Sequence, residues 1–67
     1  MKVGSVVKLA RGVYNHFGLE SFIAVLVEKL PREDNLEYDW LVLTDGRLIE
    51  LGRQIEQSAE LISEGRG

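Results

Sequence analysis

The stretch Trp40-Leu41-Val42-Leu43-Thr44-Asp45-Gly46-Arg47-Leu48-Ile49-Glu50-Leu51 decides the fold. Two apolar runs flank Asp45-Gly46, and glycine, with aspartate tolerably, takes the positive φ that a type I′ turn or a G1 bulge demands. A tight hairpin follows, with one strand from Trp40 to Leu43 and the next from Arg47 to Leu51.

Upstream, Phe22-Ile23-Ala24-Val25-Leu26-Val27-Glu28-Lys29 is β-branched and aromatic enough for another strand, and it stays apolar on both faces until Glu28. Leu30-Pro31 ends that run, because proline has no donor for a ladder bond, and Arg32 to Asp39 reads as a solvated acidic connection. The opening Val3-Gly4-Ser5-Val6-Val7-Lys8-Leu9 alternates, with Val3, Ser5, Val7 and Leu9 on one side and Gly4, Val6 and Lys8 on the other. Between these two strands, Gly12, Asn15 and Gly18 punctuate Arg11 to Ser21, which reads as a long loop carrying half-exposed Tyr14 and Phe17.

Downstream of the hairpin, two patterns compete. Leu48, Leu51, Ile55, Ser58 and Ile62 follow helical spacing, whereas Ala59-Glu60-Leu61-Ile62 suits a closing strand after one helical turn at Gln54 to Gln57. Gly52 favours the second, since glycine inside a helix costs about 1 kcal/mol relative to alanine. The expected architecture is an all-β, five-stranded small barrel over residues 1–67, a single domain, with a short helical turn before the last strand.

At 67 residues with no cysteine, neither a disulfide framework nor a cysteine zinc site stiffens the chain. The fold must therefore rest on the 45% hydrophobic residues, alone or with a subunit interface. The longest apolar run, Phe22 to Val27, is far short of the roughly 20 residues that span a bilayer, so the expectation is a soluble cytoplasmic protein with no membrane partner. Eight basic against eleven acidic residues give a net charge of −3, with the cations scattered, which argues against general attraction to a phosphate backbone.

The order of these pieces resembles the SH3-like small barrels: Lys2-Val3-Gly4-Ser5-Val6-Val7-Lys8-Leu9, an irregular connection, a strand ending near Glu28-Lys29, the Trp40 to Arg47 hairpin and a terminal Ala59-Glu60-Leu61-Ile62. It is most similar to the short barrel proteins of tailed-phage and marine viral genomes, which would place the chain in a host-cell cytoplasm. That resemblance implies a fold and brings no activity or site residues. Barrels of the KOW type also open this way, but their nucleic-acid binding goes with basic loops. Here the connections carry Glu20, Glu33, Asp34, Glu37 and Asp39. Signalling SH3 domains hold proline-rich peptides on aromatic grooves. Tyr14, Phe17 and Tyr38, with Trp40, are candidates for such an exposed groove, although the Ala-Leu-Tyr-Asp-Tyr opening is absent.

No set of acid, base and nucleophile can be named, so the chain reads as noncatalytic, with no cofactor and no metal. His16, the sole histidine, reads as a surface residue. The alternating oxygens of Glu33, Asn35, Glu37 and Asp39 hint at calcium, but the order lacks the glycine and the terminal glutamate of an EF-hand loop. What does stand out is apolar surplus. A barrel this small admits one face of each strand, which leaves Phe22, Ala24, Leu26, Trp40 and Val42 as candidates for an interface with a protein partner or a second copy, a homodimer being favoured. The alternative is a weak KOW- or Tudor-like nucleic-acid binder using Lys2, Lys8, Arg11 and His16.

Overall fold

The structure, a computed structural model, describes residues 1–32 and 38–65. Its elements run β1 (Val6–Lys8), α1 (Arg11–His16), β2 (Ile23–Pro31), β3 (Tyr38–Thr44), β4 (Arg47–Gly52), α2 (Ile55–Ser58) and β5 (Glu60–Ser63). The five strands form one antiparallel sheet in the order β4-β3-β2-β1-β5.

The hairpin forms as its residues demand. Asp45 and Gly46 have φ of 52° and 69°, and Thr44 faces Arg47 across a two-residue loop, the arrangement of a type I′ turn. From it the register propagates without interruption: Val42 opposite Ile49, Trp40 opposite Leu51. Pro31 ends β2 opposite Tyr38, beyond the reach of β1, where a missing N–H costs no second ladder bond.

Two irregularities set which side chains turn inward. In β2 the register with β3 shifts between Leu26 and Glu28, so Val27 is an extra residue. The shift places Glu28 opposite Leu41 on the outer face and Lys29 opposite Trp40 at the rim of the inner one. A second shift lies between β1 and β5, where Val6 faces Ser63 and Val7 faces Leu61.

The inner face carries Val7, Ala24, Leu26, Trp40, Val42, Ile49 and Leu51, joined in the core by Leu9, Leu19 and Ile55. Covering it from the α1 side are Val13, Tyr14 and Phe17, all partly buried. Arg11 to Ser21 is thus not an irregular loop throughout. Gly18, at φ 64°, lets the Leu19 N–H donate to the Tyr14 carbonyl and its own N–H to that of Asn15, a Schellman closure of a six-residue helix.

The expected closure into a barrel is not formed. β4 and β5 are the two edges of the sheet and do not pair with each other among the described residues. Gly52 leads instead into α2, which puts Ile55 into the end of the core. Near the other edge, the buried Ser5 hydroxyl accepts the N–H groups of Lys2 at 3.1 Å and Gly65 at 3.2 Å. Gly65 passes so close that a Cβ there would collide with the Val3 carbonyl and come within 2.6 Å of the Ser5 nitrogen.

Candidate functional site

The pleat assigns the five interface candidates differently from the sequence expectation. Ala24, Leu26, Trp40 and Val42 are all at most 1% exposed: they are the core, and only Phe22 lies open. The error has a simple origin, because Tyr38, Trp40 and Val42 do share one strand face, and that face is the inner one. The apolar surplus sits on the opposite face. There Val6 faces Val25, Val25 faces Leu43, and Leu43 faces Leu48, a row in register across four strands. Leu43 is 44% and Leu48 62% exposed, with Ile23 and Val27 also open beside them. Acidic Glu28 and Glu50 flank the row on one side, and Lys8 with Glu60 on the other.

The three groove candidates do not come together. Tyr38 sits at the Pro31 end of β2, its ring meeting Trp40 edge to face at 6.0 Å and lying 3.8 Å beneath the Lys29 ammonium. The Glu56 carboxylate ties this cluster to α2, accepting the Tyr38 hydroxyl at 2.7 Å and the Trp40 Nε1–H at 3.3 Å. Donating to Glu56 pushes the Tyr38 phenol above its ordinary pKa of 10, with desolvation and the Glu56 charge adding to this and Arg53 opposing it. A raised phenol pKa stabilises the fold at every pH below about 10 and loses that contribution only as pH climbs past the raised value.

Tyr14 lies in α1 and Phe17 is its C-cap, at the opposite end of β2. Tyr14 lies 6.4 Å from Phe22, ring to ring, and Phe17 meets His16 edge to face at 5.0 Å. Beside Tyr14 opens a cleft of about 310 Å³, whose polar lining is Lys8, Arg11, Ser58 and Glu60. Lys2 and His16 are outside that lining. Among the described residues no three His, Asp or Glu side chains gather in a metal-binding group, and no helix is long and apolar enough to cross a membrane. Glu33, Asn35 and Glu37 of the calcium alternative lie outside the described residues.

Asp39 and Glu50 make a carboxyl pair on the outer face. Their shared hydrogen bond, with desolvation and the Asp39 charge, holds Glu50 above the ordinary glutamate range, while Arg32, 3.9 Å from Asp39, works in the other direction. The proton that makes this bond is bound more tightly in the fold than in the unfolded chain. Its stabilising contribution is therefore complete below about pH 4.3 and fades as pH rises through the raised value. Glu50→Gln, which carries a permanent donor, is expected to raise the melting temperature at pH 7 and to leave it unchanged at pH 4. Melts that shift equally at both pH values would remove the carboxyl pair as the cause.

A scan of protein-family models, a search of curated proteins and a search of solved structures each returned no match.

Proposed function

We propose that the chain is a noncatalytic interaction module that pairs with a second copy of itself through the outer face of its sheet. The observation that carries this is the in-register row Val6, Val25, Leu43 and Leu48, with Ile23 and Val27 alongside. A standard interface takes about 800 Å² from each partner, nearly a fifth of the 4548 Å² this chain exposes, so only a whole face can supply it. Two sheets pack face to face at about 10 Å with their inner residues interdigitated. A two-fold axis along the row stacks row on row and lays the Glu28 and Glu50 flank of one copy over the Lys8 flank of the other. An axis along the strands would set acid against acid. Charge thus selects the first arrangement.

Sedimentation equilibrium at tens of micromolar protein is expected to give twice the 7.6 kDa chain mass. The double variant Leu43→Lys with Leu48→Lys is expected to sediment as a folded monomer. A wild-type monomer, or a double variant that still dimerises, would defeat the proposal.

The SH3-like reading of the strand order, without closure of the sheet, belongs to the same proposal, as does the likeness to the short phage proteins. The strand–Asp45-Gly46-Arg47 hairpin and the single helical turn before the last strand support it. The nucleic-acid alternative has less behind it, since Lys8 and Arg11 share a cleft with Glu60 while Lys2 and His16 are not part of it.

A further inference from the structure

We infer that the cleft between α1, β1 and the α2–β5 junction binds a nucleoside phosphate. The cleft opens beside Tyr14 and shares Lys8 and Glu60 with the flank of the apolar row, so its test is run on the monomeric variant as well as on the wild type. Two cations reach it from adjacent elements, Lys8 from β1 and Arg11 from the first residue of α1. No ion pair within 4 Å engages either of them among the described residues. Tyr14 is the aromatic residue of its lining; Phe22 lies outside the lining, 6.4 Å from Tyr14 ring to ring. Ser58 adds a hydroxyl and Glu60 an acceptor.

Those groups match the three parts of one ligand. A phosphate suits Lys8 and Arg11, which bring two charged donors to an open cleft. A planar base suits Tyr14, since every base offers a π-face to an aromatic side chain. Sugar hydroxyls or exocyclic amines suit Glu60, which would repel a bare anion. The volume sits at the lower end of small-ligand pockets, enough for one nucleotide and not for a folded nucleic acid. Net charge and local chemistry are then reconciled, because a chain of charge −3 repels a long polyanion while two converging cations take one phosphate.

The test is a ¹⁵N NMR titration of the whole chain with AMP, adenosine, inorganic phosphate and a short thymidylate strand, repeated on the monomeric double variant. AMP is expected to shift the amides of Lys8 to Tyr14 and Ser58 to Glu60 in both proteins. Lys8→Ala and Arg11→Ala should each weaken AMP about tenfold, as expected for losing one charge-assisted contact. Glu60→Ala should weaken AMP yet strengthen inorganic phosphate, opposite signs that a purely structural role would not produce. Tyr14→Leu, which keeps an apolar side chain and removes the ring, should weaken AMP and leave phosphate unchanged. A thymidylate strand binding no tighter than AMP supports a site for one nucleotide, and a strand binding far tighter than AMP would overturn it in favour of a nucleic-acid surface. Absence of shifts at millimolar AMP, phosphate binding as well as AMP, or shifts centred elsewhere would overturn it.

Discussion

Trp40→Ala is expected to move the urea midpoint of unfolding far below that of the wild type. The indole is 1% exposed, faces Leu51 and Lys29 across two ladders, meets the Tyr38 ring and donates to Glu56. Truncating a buried tryptophan costs about 3–5 kcal/mol. At roughly 0.05–0.15 kcal/mol per residue, a chain of this length has only about 3–10 kcal/mol in total. One side chain therefore carries a large share of the margin. Glu56→Gln, which keeps an acceptor and loses only the charge, should cost far less than the alanine variant. Urea melts followed by far-UV circular dichroism measure both. A Trp40→Ala midpoint close to wild type would show that the cluster at this end of the sheet is dispensable.

The second large effect is a contrast between neighbours. Val42→Lys should abolish folding, whereas Leu43→Lys should leave the monomer fold intact. Val42 is fully buried between Leu26 and Ile49, and an ammonium there has no counter-ion and no water, a penalty of several kcal/mol. Leu43, one residue on, projects from the other side of the pleat and is 44% exposed, so a lysine there keeps its charge in water. Amide spectra of the two proteins at neutral pH are the check. Two folded proteins, or two unfolded ones, would contradict the assignment of inner and outer faces.

The same contrast shows what the sequence could and could not convey. The Asp45-Gly46 turn was legible because positive φ at two successive positions is a local demand that few residues meet, and the structure has both. The one-turn helix and the last strand were legible for a related reason, Gly52 stopping any long helix. Which face of Trp40-Leu41-Val42-Leu43 turns inward was not, since both are apolar and a period of two gives no preference between them. Only pairing decides it, and the extra residue at Val27 changes the phase of β2 midway. The helix Arg11–His16 was missed because Gly12 and Asn15 weaken helix propensity. What secures it is its Schellman closure at Gly18 and the packing of Val13, Tyr14 and Phe17 on the core. The cleft is hidden for a similar reason: Lys8 and Arg11 are neighbours in the chain, but Glu60 is far from both and joins them only when β1 pairs with β5.

The hydroxyl of Ser5 accepts Gly65 across a separation of 60 residues, and β1 itself has β5 as one neighbour. The β3–β4 hairpin, by contrast, needs a loop of two residues. Loop-closure entropy therefore orders assembly: the hairpin is inexpensive and early, while the β1–β5 seam waits until almost the whole chain is available. Ser58 and Glu60 reach the cleft only through that long-range seam. The cleft therefore exists only in a molecule whose first and last strands have met.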